Sequence, residues 1–159
     1  MRAYLKHVVT EVKIELKPIG MIHSPYKTRH ETPPQGWHRP EVISEIEVFK
    51  EYQDGLKDIG GFSHLHVFYW FHKSKEYRLQ ITTPWDTEFH GLFVTRSPNR
   101  PNPIGYCVVE LIEKERNILR VKGIDAVDGT PLIDIKPYIP EIDRKEVARI
   151  GWLEGKKFG

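Results

Sequence analysis

The sequence predicts an all-β protein, a small β-barrel or strongly curved sheet with one or two short helices. Seven or eight short runs of branched, aromatic and other apolar residues recur at close spacing, and only one segment shows helical periodicity. Twelve prolines and twelve glycines fall largely between those runs, where they punctuate strands and exclude long helices.

Residues 1–15 read as an N-terminal extension, 16–143 as the barrel domain and 144–159 as a C-terminal tail. Leu16 to His23 is the first candidate strand. Ser24-Pro25 opens a polar loop through Pro40, which contains the stiff turn Thr32-Pro33-Pro34-Gln35-Gly36. A loop of that length with no element of its own is the kind that carries function. Glu41 to Phe49 alternates, with Val42, Ser44, Ile46 and Val48 on one face, as a half-buried strand does. Tyr52, Leu56 and Ile59 have helical spacing, so Glu51 to Ile59 reads as a short helix stopped by Gly60-Gly61.

Phe62 to Phe71 reads as a central strand, with His64, His66, Phe68 and Trp70 on one face. Leu79 to Thr82, Gly91 to Thr95, Tyr106 to Glu113, Ile118 to Ile124 and Leu132 to Tyr138 complete the strands, and Glu115-Arg116-Asn117 is a hairpin turn candidate. The basic tail carries Trp152 and Phe158 and reads as a short helix packed on the barrel, a partner contact or a lid.

Composition narrows the class. A chain with 39% apolar and 29% charged residues suits a globular domain with a real core. No stretch approaches the roughly 18 apolar residues of a membrane span, and the start lacks the pattern of a secretory signal. A single cysteine, Cys107, excludes an internal disulfide and fits a reducing, cytoplasmic setting. A net charge of +2 permits a nucleic-acid partner only where the positive charge is clustered.

The most informative segment is Thr95-Arg96-Ser97-Pro98-Asn99-Arg100-Pro101-Asn102-Pro103-Ile104-Gly105. Three prolines fix most of its path, leaving little freedom to lose when its arginines meet an anion. A second stiff segment, Asp125-Ala126-Val127-Asp128-Gly129-Thr130-Pro131, leads into Leu132 to Tyr138. Together they point to a small-molecule site built from loops on a rigid scaffold. No glycine-rich dinucleotide turn is present, so a Rossmann-type cofactor site is not expected.

These segments also carry a resemblance. Ile19 to Tyr26, the Pro33-Pro34-Gln35 turn, Phe62-Ser63-His64-Leu65, Thr95 to Gly105, Asp128 to Pro131 and Asp134-Ile135-Lys136-Pro137-Tyr138 occur in the order seen in the TsaA-like (TrmO) family. Over roughly residues 16 to 143 the chain resembles these S-adenosylmethionine-dependent tRNA methyltransferases. The resemblance implies a small β-barrel that binds S-adenosylmethionine, usually as a homodimer. It also implies methyl transfer to the exocyclic amine of threonylcarbamoyladenosine beside the tRNA anticodon. Bacterial members carry a further C-terminal domain, and this chain is expected to resemble the shorter members.

The resemblance places the cofactor against Pro33, Pro34, Gln35, His72, Lys73, Arg96, Tyr106, Asp125, Ala126, Val127 and Asp128. The residue types allow this, beside plainer readings. Arg96 can hold a carboxylate or ribose oxygen through several donors, or brace its own loop. Arg100 can do either as well. Gln35 can read an adenine edge or sit in a surface turn. His72 taken alone is a surface histidine, and Tyr106 taken alone is core. Asp125 or Asp128 can bind ribose hydroxyls or an ammonium, or Asp128 can satisfy its own Asp-Gly turn.

Asp134, Lys136 and Tyr138 share a strand face and are the weak candidates for orienting the acceptor or relaying a proton. An Asp134–Lys136 structural pair is an equal alternative, and no base is named. His64 and His66 share a face without an identifiable third ligand, so no metal is expected. Arg29, His30, Arg39, Arg100, Arg144 and Lys145 are candidates for meeting the phosphates of an anticodon loop. The competing functions are a cofactor-binding protein with a non-tRNA methyl acceptor, and a non-enzymatic module using its proline loops for partner contact.

Overall fold

A computed structural model describes residues 13–157. Most of the N-terminal extension, and Phe158, therefore lie outside the described residues. Six strands close into an antiparallel barrel in the order β1 (Gly20–His23), β2 (Ile43–Val48), β7 (Ile118–Lys122), β6 (Ile104–Glu115), β3 (His64–Trp70) and β8 (Thr130–Pro137). The barrel closes where Gly20 pairs with Leu132 and Ile22 with Thr130. Strands β4 (Gln80–Thr83) and β5 (Asp86–Gly91) form a separate hairpin outside it. The only α-helix among the described residues is α1 (Pro140–Asp143), a single turn. The expected all-β barrel is the fold found.

Alternation decides which side chains fill the barrel. Ile22, Ile46, Val48, Leu65, Val67, Tyr69, Val109, Leu119, Val121 and Leu132 point inward and are essentially fully buried. Cys107 shares that interior. The opposite faces of β3 and β6 carry His66, Phe68, Tyr106 and Val108 outward. On β8 a bulge opposite Phe68/Tyr69 shifts the pattern, so Leu132 and Ile135 face in while Asp134 and Lys136 face out beside Phe68 and His66.

Two local expectations do not hold. Glu51 to Ile59 is not an α-helix but two 3-10 turns, Lys50–Leu56 and Ile59–Gly61. Only Leu56 there is buried, and Gly55, Gly60 and Gly61 weaken any helix, so no apolar stripe sustains one. Gly91 to Thr95 is not a strand: Leu92–Val94 is a 3-10 turn, and the strand precedes it as β5. Leu92 is buried while Phe93 and Val94 are 72% and 57% exposed, so the run has neither a partner strand nor one inward face.

The tail docks on the outer hairpin rather than on the barrel strands. Trp152, in the turn Gly151–Leu153, stacks on His90 at 3.9 Å between ring centres, and its indole N–H donates to the Val94 carbonyl at 3.0 Å. Lys156 pairs with Asp86 at 3.1 Å, and Asp86 also accepts from His90 at 2.9 Å. Among the described residues no helix is long and apolar enough to cross a membrane.

Candidate functional site

Strands β1 and β3 end, and β6 and β8 begin, at one rim of the barrel, because Ile22 pairs with Thr130 and Trp70 with Ile104. The loops leaving these ends, 24–42, 71–79, 92–103 and 123–129, therefore gather over one opening. Between them lies a cavity of about 460 Å³, within the usual range for small-molecule sites. Its walls hold Pro33, Pro34, Gln35, His72, Lys73, Arg96, Tyr106, Asp125, Ala126 and Val127. These are all of the cofactor candidates except Asp128.

Each wall is held by chemistry that can be traced. Gly36 packs so closely under Gly123 that a Cβ there would overlap the Gly123 carbonyl, which locks the Pro33-Pro34-Gln35 turn to the end of β7. Gln35 accepts from Arg96 Nη1 through Oε1 at 2.7 Å, and its amide donates to the Pro34 carbonyl. Arg100 braces its own loop, donating to the carbonyls of Thr95 and Ser97 at 2.9 and 3.1 Å. That is the plainer of the two readings considered for it, although Arg100 also lines the cavity. Ser74 ties the 71–75 segment to this loop by donating to the Pro98 carbonyl at 2.9 Å, and Asn99 Oδ1 accepts from the Lys75 N–H. Arg96 has no such bracing role. Among the described residues its guanidinium hydrogen-bonds to Gln35 and lies 6.0 Å from the Tyr106 ring centre, so donors remain for a ligand.

The opposite charge comes from below. Asp125 sits against the barrel interior, where Tyr69 donates its hydroxyl to Oδ1. Burial pushes the Asp125 carboxyl up to about 6, against the pull of the Tyr69 hydrogen bond, backbone donors and Arg96. The same environment pushes the Tyr69 phenol far up, chiefly by burial and then by the Asp125 charge. Burial, with the Asp125 charge behind it, also raises the Cys107 thiol well above its ordinary value. Burial and the adjacent Lys73 lower His72, which favours the neutral imidazole at the cavity wall. The cavity thus offers a cation, a carboxylate near its titration point, backbone groups and neutral donors within one hollow.

The remaining candidates lie elsewhere. Asp128 pairs with Lys27 at 2.6 Å and accepts from the Ser24 N–H, and the Lys27 hydrogen bond holds its carboxyl below the usual range. Asp134 and Lys136 pair with each other at 2.9 Å on the outer face of β8. Tyr138 packs against His66, with 5.4 Å between ring centres. None of the three lines the cavity. His66 lies between the Tyr106 hydroxyl, 2.9 Å from Nδ1, and Asp143, 2.9 Å from Nε2, which gives the histidine a structural partner on each side. Among the described residues no group of three or more His, Cys, Asp or Glu is placed to hold a metal ion. Arg39 and Arg144 pair with Glu41 and Glu146, whereas Arg29 lines the cavity.

Sequence reasoning missed Tyr69, Phe71 and Ser74. Tyr69 reads as core from its alternation, and only the fold shows its hydroxyl reaching Asp125. Ser74 follows two candidates, His72 and Lys73, and a polar residue after a strand end was the available signal.

Comparison with known proteins shows the family. Residues 21–144 match the family model described as the tRNA-methyltransferase O N-terminal domain. The chain belongs to that family. It is 50% identical over 141 residues to a protein of Archaeoglobus fulgidus named a probable S-adenosyl-L-methionine-binding protein, covering 89% of this chain and 38% of that one. It is 38% identical over 136 residues to the tRNA (adenine(37)-N6)-methyltransferase of Escherichia coli, covering 79% of this chain and 58% of the relative. The crystal structure of TrmO from Pseudomonas aeruginosa superposes with a TM-score of 0.75 at 31% identity, covering 89% of this chain and 63% of that one. The chain thus spans less than two thirds of each of these relatives.

Proposed function

We propose that this chain is an S-adenosylmethionine-dependent methyltransferase that modifies adenosine in tRNA, with threonylcarbamoyladenosine beside the anticodon as acceptor. The observation that carries the cofactor assignment is that Arg96 and Asp125 line one cavity whose walls also hold the Pro33-Pro34-Gln35 turn and His72. S-adenosylmethionine presents a carboxylate, an ammonium, a sulfonium and an adenine. Arg96 matches the carboxylate or a ribose oxygen. Asp125 matches the cationic end. Backbone groups near Pro34 and His72 are available to the adenine edge. The cofactor, when bound, supplies a methyl group on a positively charged sulfur.

The chain's own contribution is to bind, align and exclude water. The loop braced by Arg100 and Ser74 is set before binding, so little ordering entropy opposes it. The relatives named above support the tRNA acceptor, and a homodimer in the cytoplasm completes the reading.

Calorimetry with S-adenosylmethionine tests the cofactor assignment. Wild-type chain gives saturable heat, and Arg96→Ala weakens binding at least tenfold, the scale of one lost charge-assisted contact. Methyl transfer to tRNA with and without the threonylcarbamoyl group tests the acceptor. Transfer to neither rejects it, and transfer to both rejects its threonylcarbamoyl part. Sedimentation of the purified chain tests the dimer.

A further inference from the structure

A second hollow adjoins the first. It has a volume of about 930 Å³ and shares Gln35, Thr95, Arg96 and Tyr106 with the cavity as a common wall. Its other walls include five rings, those of Trp37, His38, Trp85, Phe93 and Trp152, among small and aliphatic residues. Trp37 is 60% exposed and lies face to face on His38, with 3.8 Å between ring centres, so its outer face is open. No carboxylate lines the groove, and its one permanent charge is the Arg96 guanidinium.

We propose that this groove is the seat of the acceptor nucleobase of a single-stranded RNA loop, and that residues 151–156 build its outer wall through Trp152. The proposal rests on the methyltransferase reading, and three observations favour this occupant. An acceptor must approach the methyl group from outside the cofactor's own cavity, and this is the hollow that opens onto it. Exposed flat rings bind an unstacked base whatever its sequence, because every base has a π face. A lining without carboxylates, beside Arg96, Arg100 and Arg29, suits a polyanion and does not suit a basic peptide.

The outer wall is positioned by contacts already described. The Trp152 indole is fixed by His90 and the Val94 carbonyl, and Lys156 by Asp86. These anchors come from residues beyond the family match, which ends at 144. Residues 151–156 therefore add a specificity surface to the family domain. They also hold Val94, the residue two before Arg96, so the wall and the shared arginine are positioned together.

The test is binding of an unmodified RNA stem-loop with adenosine in its loop, read by quenching of tryptophan fluorescence in the full chain. Three of the four tryptophans line the groove, so quenching reports its occupation. The stem-loop is expected to quench, and a fully paired duplex of the same length is not. Trp37→Ala and Phe93→Ala remove exposed rings and leave the fold intact. Each is expected to weaken RNA binding roughly tenfold, the scale of one lost stacking partner, with the calorimetric Kd for S-adenosylmethionine changed less than twofold. Trp152→Ala is expected to weaken RNA binding as well, with some loss of cofactor affinity through Val94 and Arg96, and Trp152→Phe to restore most of the RNA affinity.

RNA affinity unchanged in both Trp37→Ala and Phe93→Ala overturns the proposal. So does a wild-type chain that binds the cofactor but gives no RNA quenching. Loss of the dimer in these variants, with RNA affinity retained, assigns the groove to a second copy of the chain and also overturns it. Groove-dependent RNA binding without cofactor binding upholds the groove while refuting the proposed cofactor.

Discussion

Replacing Asp125 by asparagine is expected to make the protein more stable at neutral pH and poorer at holding its proposed cofactor. The side chain is nearly isosteric, and its Oδ1 still accepts from the Tyr69 hydroxyl, so the packing is kept and the charge is removed. The carboxyl titrates near 6 in the folded state against an ordinary value of 3.8. Between those values the folded chain holds a proton that the unfolded chain has released, so stability from this group falls as pH rises. At about 1.4 kcal/mol per unit, a shift of roughly two units means the ionised carboxylate destabilises the fold by about 3 kcal/mol above pH 6. For a chain of this size that is roughly 6–12 °C in Tm.

The assay is urea or thermal unfolding of wild type and Asp125→Asn from pH 4 to 8. The difference between them isolates Asp125 from carboxylates such as Asp128, whose lowered values give the opposite slope. The advantage of the variant is expected to be near zero at pH 4, to grow through pH 5 and to level off above pH 6–7. A difference independent of pH, or one favouring wild type at neutrality, refutes the reasoning. A cationic ligand beside Asp125 favours the ionised form, so wild-type affinity for S-adenosylmethionine should rise through the same range. In the variant that dependence should disappear.

Two further outcomes follow from packing. Gly105→Ala places a methyl group into the Tyr69 ring, which is fully buried and cannot retreat, so unfolding should become easier by about 2–3 kcal/mol, with cofactor binding lost alongside because Tyr69 holds Asp125. Equilibrium unfolding and calorimetry check the pair of effects together. Leu119→Ala, fully buried on β7 and away from the rim, should cost about 2–5 kcal/mol while leaving ligand affinity at a permissive temperature unchanged.

How far the residues announced this molecule varies along the chain. The barrel strands were legible because alternation is enforced by the closed wall: Ser44, Ile46 and Val48, or Leu65, Val67 and Tyr69, cannot be displaced to the other face without emptying the core. The loop around Arg96 was legible because proline restricts its path before any tertiary contact forms. The segment from Asp86 to Thr95 was not, since a hairpin outside the barrel has no interior to impose a pattern, and Phe93 and Val94 look like strand residues while lying exposed. Asp125 was visible as a candidate, but its elevated titration comes from a depth of burial that only closure of the barrel creates, against the pull of Tyr69, fifty-six positions away. The Trp152 contacts were equally hidden, because the reach of a tail depends on where the chain leaves β8.

The lone thiol has a quiet consequence. Cys107 points into the barrel with its proton held firmly by burial and by the neighbouring carboxylate. Thiolate is the reactive form, so oxidants and alkylating agents have little to attack while the strands stay paired. Chemical ageing at this sulfur therefore proceeds only through molecules whose barrel has opened, and the sulfur keeps a slow chemical record of how often that happens.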